Sequence, residues 1–381
     1  MAVFEESGEI KVKQIENMAV HGGEVFRLAA EAGIEPEKII DFSANINPFG
    51  LPPGVFMAMR KSLDNLANYP EIGAQSLSRS VAWRHNLNLE NVVVGNGSSA
   101  LIYLLARVLK PQKALIWEPT FTEYERALRQ SNSQVINLPS WDPEKKILLE
   151  DLLEATVDAQ PDLVFLCNPN NPTGALWSLA ELECIVSEFK KAKIICVLDE
   201  AFIDFVGAEF SFAARVNDFD NLIVLRSLTK IYALAGLRCG YLLCGPSLNR
   251  HISDSLEPWS LNSVAIAAAI VALENDHDFI NKTIAFVKKE CDYLYQELQK
   301  IGFLRPFPAH ANYILAKLEN HVNGPQSGVE LRQYLFAKES ILIRLCGDYR
   351  GLDQNFLRFA VKGEAENRRL IKTLKNYQAV G

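Results

Sequence analysis

Lys230 ends the apolar run "NLIVLRSLTK", where a charge is costly to bury and easy to replace. Asp199 ends the preceding apolar run, "IICVLD", in the same way. A carboxylate and an amine at the ends of successive buried strands can be a plain ion pair, or the aspartate can simply cap the turn that follows. They also meet the two demands of pyridoxal 5'-phosphate. That cofactor needs an amine to form a Schiff base with its aldehyde, and an anion to keep its pyridine nitrogen protonated so that the ring accepts electrons. Ser227, Thr229 and Arg238 flank the lysine, and their hydroxyl and guanidinium donors suit the cofactor's phosphate.

A second group of donors lies in "GNGSSA", residues 95–100, which follows an apolar run and opens a helical pattern with Leu101, Leu104, Leu105, Val108 and Leu109 on one face. Gly97, Ser98 and Ser99 would place exposed amides and hydroxyls at a helix start, where a phosphate binds well. Taken alone the string has three readings: a phosphate loop, a dinucleotide fingerprint with Glu118 as its acid, and a tight structural turn. The dinucleotide reading makes the chain a NAD(P)-dependent dehydrogenase and leaves Asp199 and Lys230 without a joint role. "NPNNPTG", residues 168–174, is a loop rich in turn formers whose Asn171 amide could hydrogen-bond a ring oxygen of a bound cofactor. Phe121, after "EPT", is core or a ring that covers one face of the cofactor.

These residues need a scaffold that brings them together. Short apolar runs at 91–94, 114–117, 163–167, 194–198, 222–225 and 240–244 alternate with longer helical patterns. Strands apolar on both faces and separated by helices imply a mostly parallel sheet sandwiched by helices, and the polar loops gather at the strands' carboxyl ends, where open α/β sheets bind ligands. From about residue 251 the pattern turns to a long helical stretch, then "ANYILAKL", a helix, "ILIRL" and a final helix, which reads as a smaller α+β domain. The expected division is an N-terminal arm at 1–40, a large cofactor-binding domain at 41–250, and a connecting helix with a small domain at 251–381.

Composition bounds the partners. At 381 residues, 49% hydrophobic and 22% charged, the chain can bury more than one core, and its net charge of -7 gives no overall pull towards nucleic acid or an anionic membrane. "SVAIAAAIVAL" from Ser263 is too short to span a bilayer, and the amino terminus lacks an apolar signal core. The seven cysteines show no C-x-x-C spacing and sit in apolar runs, so they read as buried free thiols of a cytoplasmic protein, with no metal site.

"NPNNPTG", "DEAFIDF" and "SLTKIYALAGLRCGY" resemble the fold type I pyridoxal-phosphate enzymes, in the branch of histidinol-phosphate aminotransferase, from roughly residue 20 to 375. The resemblance implies Lys230 as the Schiff-base lysine, Asp199 as partner of the pyridine nitrogen, and Asn171 as donor to the ring hydroxyl and to substrate. It implies Gly97, Ser98, Ser99, Ser227, Thr229 and Arg238 around the phosphate, with Phe121 stacked on the ring. In such homodimers the tyrosine of "NYP", here Tyr69, reaches the neighbouring subunit's cofactor phosphate, so active sites are shared. Arg344 and Arg358 match substrate-anion arginines.

A narrower resemblance, to the L-threonine-O-3-phosphate decarboxylases of cobalamin biosynthesis, rests on "HGGEVFRLAAEAGI", "DFSANINPFG", "DEAFIDF", "EPWSLN" and "ILIRLCGDYRGLD". It implies a small phosphorylated amino acid as substrate, received by His21, Gly22, Gly23, Asn47, Asn312, Arg344 and Arg358. Phe202 stands where the aminotransferases usually carry tyrosine, and the decarboxylase branch shares it. The bond held perpendicular to the cofactor ring is the one that breaks, so the anchoring of the substrate's anions decides between loss of the carboxylate and loss of the α-proton. Phosphothreonine decarboxylation, extended to phosphoserine, is therefore the expectation, with histidinol-phosphate transamination as the alternative.

Overall fold

The computed structural model describes residues 22–274, 277–322 and 324–380, which fall into two compact units. The smaller unit holds the described residues through Pro48, then Pro172–Gly174, then those from Ala285 onward, and the larger holds Phe49–Asn171 and Ala175–Ile284. The smaller unit begins with α1 (Val25–Ala32), whose Leu28, Ala29 and Ala32 pack with Phe336 and Leu342. Gly33 ends that helix in the left-handed conformation, which glycine adopts without a Cβ penalty. The short strand β1 (Ile40–Asp41) follows.

The larger unit contains helices α2 (Val55–Ser62) and α3 (Gln75–His85), then the alternation that builds the central sheet. In chain order these are β2 (Val92–Gly95), α4 (Gly97–Leu109), β3 (Lys113–Glu118), α5 (Glu123–Gln130), β4 (Gln134–Pro139), α6 (Leu149–Ala159) and β5 (Leu163–Cys167). After them come α7 (Leu179–Lys191), β6 (Ile195–Asp199), β7 (Leu222–Ser227), the single-turn α8 (Leu228–Ile231), β8 (Gly240–Cys244) and α9 (Pro246–Ser253). Helix α10 (Ser263–Glu274) packs on α2 and α3, and α11 (His277–Leu298) contributes residues to both units.

The seven strands lie in the order β2-β8-β7-β6-β5-β3-β4. All neighbours are parallel except β8, which runs antiparallel to both β2 and β7. The carboxyl ends of β2, β3, β5, β6 and β7 therefore share one edge. Strands β5, β7 and β8 are buried along their whole length, as the continuous apolar runs require. Six strands form where the apolar runs place them. The seventh, β4, is an unannounced edge strand: half-exposed, mixed in polarity and ending in proline, it has one neighbour and needs no continuous apolar run.

The helices follow from the same local rules. Ser178 and Glu181 form a reciprocal capping box at the start of α7, whose Leu182, Ile185, Val186 and Phe189 recur at helical spacing and are fully buried. Each such side chain stabilises by about 1.5–3 kcal/mol on burial. Cys184 lies on the other face of this helix and is exposed, which corrects the expectation that all seven thiols are buried; the other six are, and all seven are free.

In the smaller unit β9 (Leu304–Pro306) and β10 (Tyr313–Leu318) precede α12 (Gly328–Glu339). The expected strand "ILIRL" splits into β11 (Ile341–Leu342) and β12 (Arg344–Leu345), and the chain closes with β13 (Phe356–Ala360) and α13 (Glu364–Val380). Strand β11 pairs parallel with β1, while β12, β13, β10 and β9 form an antiparallel sheet. No helix among the described residues is long and apolar enough to cross a membrane.

Candidate active site

The carboxyl edge of the large sheet brings the expected cofactor residues together. Asp199 ends β6, Lys230 lies in the single turn α8 directly after β7, Asn171 follows β5, Phe121 follows β3, and Gly97 opens α4 after β2. Gly97 has a φ of 82°, and a Cβ built there would stand 2.7 Å from Arg238 Nη2, so the guanidinium lies against the helix start. Gly240 is packed as closely: a Cβ on it would meet the Ser98 backbone nitrogen at 2.7 Å. Ser98 and Ser99 are half-buried in the first turn of α4, which has free N–H groups at its positive end. The hydroxyls of Ser227 and Thr229, both buried, lie 2.7 Å apart. This helix start, these hydroxyls and the adjacent guanidinium are a donor set fitted to a phosphate.

Asp199 is 3% exposed. Its Oδ2 accepts from the Tyr124 hydroxyl at 2.6 Å, and its Oδ1 from the Ala201 N–H at 2.9 Å. Burial pushes its carboxyl above the usual range, although these two bonds and the charge of Lys230 pull the other way. A protonated ring nitrogen would add a second cation beside Asp199 and offset more of its burial, so the residues present fit pyridoxal phosphate. Tyr124 stays a donor, because burial and the Asp199 charge hold its hydroxyl well above the ordinary tyrosine range. Its ring stacks on Phe165 at 4.7 Å and meets Phe121 edge-on at 5.6 Å.

The loops are tied to one another. Thr120 Oγ1 donates to Asn170 Oδ1 and Asn170 Nδ2 donates to the Pro119 carbonyl, both at 2.8 Å, which joins the loop of Phe121 to that of Asn171. The Asn168 N–H donates to the Asp199 carbonyl, joining the second loop to β6. Beside Asp199, the buried Glu200 and Asp204 pair with Arg226 of β7 at 3.3 and 2.5 Å, and so tie the segment after β6 to the strand that leads to Lys230. Phe202 is buried in that segment.

The smaller unit carries a polar cluster of its own. Arg344 and Arg358 are opposite each other in the β12–β13 register and both are buried. Arg358 Nη2 donates to the Ser43 carbonyl at 2.8 Å and Nη1 to the Tyr349 hydroxyl at 3.4 Å, with the guanidinium over the Tyr313 ring. Arg344 Nη2 pairs with Asp348 at 2.6 Å. The Gly23 N–H donates to Ser43 Oγ at 2.9 Å, and Gly22 sits so close to the Ser43 carbonyl that a Cβ would overlap it. Asn47 is buried, and Asn312 is fully buried with neither amide atom hydrogen-bonded. Such an amide is costly unless something else engages it.

Gly22, Gly23 and Arg358 therefore meet through Ser43, while His21 lies outside the described residues. Tyr69, in the larger unit, is 80% exposed and stacked on Trp259 at 4.6 Å. The sequence reading missed Tyr124, Ser43, Tyr349 and Asp348. Only Tyr124 left a usable signal, three residues past Phe121 at a helix start, where it shares a face with the ring-covering position.

The model of aminotransferases of class I and II matches residues 37–374. Threonine-phosphate decarboxylase of Salmonella typhimurium is 37% identical over 361 residues, covering 94% of this chain and 96% of that protein. Among solved structures, histidinol-phosphate aminotransferase of Clostridium acetobutylicum superposes with a TM-score of 0.82 at 33% identity, covering 89% of this chain and 99% of that one. L-threonine-O-3-phosphate decarboxylase of Porphyromonas gingivalis superposes with a TM-score of 0.79 at 25% identity and the same coverage.

Proposed function

The chain belongs to the class I and II aminotransferase family, with the fold type I architecture, and from that premise we propose that it is a pyridoxal-phosphate-dependent decarboxylase of L-threonine O-3-phosphate. The product is (R)-1-amino-2-propanol O-2-phosphate, the linker of the cobamide nucleotide loop, and L-serine O-phosphate would give ethanolamine phosphate. One observation carries the reading: the buried Asp199 and the half-buried Lys230 stand at neighbouring strand ends of a chain that aligns almost end to end with a threonine-phosphate decarboxylase.

When bound, the cofactor supplies an electron-accepting ring for the pair left behind as a bond to the substrate's α-carbon breaks. Lys230 would hold the cofactor through its amine, and Asp199 would stand as the acceptor for a protonated ring nitrogen. Gly97, Ser98, Ser99, Ser227, Thr229 and Arg238 would hold its phosphate, Asn171 would donate to the ring hydroxyl, and Phe121 would cover the ring. Arg344, Arg358, Asn312, Asn47, Gly22, Gly23 and His21 receive the carboxylate and phosphate of the substrate. The Lys230 amine would also be the group that holds a proton for the α-carbon.

Histidinol-phosphate aminotransferase is the second reading, favoured by the high superposition with that enzyme. Phe202 argues against it, since the hydroxyl that aminotransferases place there is missing. The dehydrogenase reading of "GNGSSA" loses its basis, because β2 pairs with the antiparallel β8 and not within a parallel βαβ unit. Exposed apolar side chains on and after α2, among them Phe56, Met57, Leu66, Tyr69 and Ile72, suit a homodimer in which Tyr69 serves the neighbour's cofactor phosphate. Sedimentation at the chain's own mass would remove that part. The free thiols suit a reducing cytoplasm.

The test is a comparison of substrates on purified holoenzyme. Phosphothreonine should release carbon dioxide without keto acid, phosphoserine should follow, and free threonine should fail. A methyl group discriminates by only about 1–3 kcal/mol, whereas a missing anion leaves several buried donors unpaired. Conversion of histidinol phosphate to its keto product with 2-oxoglutarate would move the protein to the aminotransferases.

A further inference from the structure

Arg344 and Arg358 are opposite in register, and both are buried. Arg358 donates to the Ser43 carbonyl and the Tyr349 hydroxyl, both neutral. Arg344 is paired with an acid of its own chain: Nη2 meets Asp348 Oδ2 at 2.6 Å, Nη1 donates to the Leu345 carbonyl, and the guanidinium lies over the Tyr349 ring at 5.2 Å. The Arg344 side chain is 4% exposed and that of Asp348 27%, so the pair meets solvent through the acid.

A guanidinium binds phosphate best through two parallel N–H donors and at full charge. Asp348 engages one of those donors and offsets the charge. An incoming dianion must share Arg344 with a carboxylate that repels it, or displace that carboxylate towards solvent. When a phosphorylated product leaves, Asp348 is in place to take Arg344 back, so that a buried cation is not stranded.

We infer that Asp348 is a specificity-determining residue that acts through Arg344, weakening the grip on a dianionic group and so moderating the preference for phosphorylated over unphosphorylated substrate. This rests on the reading of Arg344 as a substrate-anion residue. Removing the charge should tighten binding of the dianion, whereas a merely structural role for Asp348 would loosen it.

The test uses holoenzyme and steady-state kinetics on phosphothreonine, with inorganic phosphate as competitive probe. Asp348→Asn should lower KM about tenfold, equivalent to about 1.4 kcal/mol, with the change falling in KM rather than kcat. The inhibition constant of phosphate should fall in parallel. Asp348→Glu should restore the native values, and Asp348→Ser, a smaller side chain at a partly exposed position, provides a second neutral variant if the amide misfolds. In the Arg344→Gln background, Asp348→Asn should have no effect. An unchanged or raised KM in both neutral variants, with native thermal unfolding, would overturn the inference while leaving Arg344 in place. If Arg344→Gln keeps the full preference for phosphothreonine over threonine, the assignment of Arg344 itself fails and the inference falls with it.

Discussion

Tyr124 shows how one side chain can set the behaviour of another. Its hydroxyl is one of two donors that pull the carboxyl of buried Asp199 back down against the upward push of burial. Tyr124→Phe should raise the Asp199 pKa further, shift the acid limb of the kcat profile to higher pH, and lower kcat about tenfold or more, since a hydrogen bond to a charged group is worth about 1.5–3 kcal/mol. An unmoved acid limb would show that Asp199 does not depend on this bond. His85 gives a different pH effect. It bonds the Tyr241 hydroxyl at 2.8 Å, and burial pushes its pKa down to about 2. The unfolded chain then binds a proton that the folded one refuses, so His85 contributes full stability above pH about 6.5 and loses it as pH falls. Between pH about 7.5 and 5.5 the loss is roughly 1 kcal/mol. Urea unfolding of His85→Gln should show a correspondingly flatter acid slope than the native chain.

At the scale of the elements, the site depends on how closely α4 approaches the sheet. A Cβ on Gly240, the first residue of β8, would stand 2.7 Å from the Ser98 nitrogen and 2.9 Å from the Arg226 carbonyl, so Gly240→Ala would push against backbone on both sides and move the start of α4 away from the β7 end. Overpacking of this kind costs about 1–3 kcal/mol. The variant should lose cofactor on gel filtration while the native protein keeps it; native retention would show that the helix start is not part of the phosphate site. The same elements show what a sequence discloses. Strands β5, β7 and β8 were legible because burial on both faces demands unbroken apolar runs, and Asp199 and Lys230 because charge at such strand ends is conspicuous. Strand β4 was not, since an edge needs no such run, and neither was β13, where "FLRFA" carries Arg358 inside its strand. Asp348 and Ser43 were hidden for another reason: their importance lies in pairings that only the fold creates.

On the scale of the whole molecule, the larger unit holds Asp199 and Lys230, and the smaller unit holds the buried Arg344 and Arg358. In the function proposed above, the first pair would serve the cofactor and the second would anchor the substrate's anions, and that anchoring would select the bond that breaks. Turnover of phosphothreonine in deuterium oxide, followed by proton NMR and carbon dioxide release, reads that choice directly. The account predicts one carbon dioxide per turnover and one solvent deuterium on the amine-bearing carbon of the product, with the α-proton of unreacted phosphothreonine retained. Exchange of that α-proton for deuterium without carbon dioxide release would contradict it, because the α-proton would then be the group that leaves.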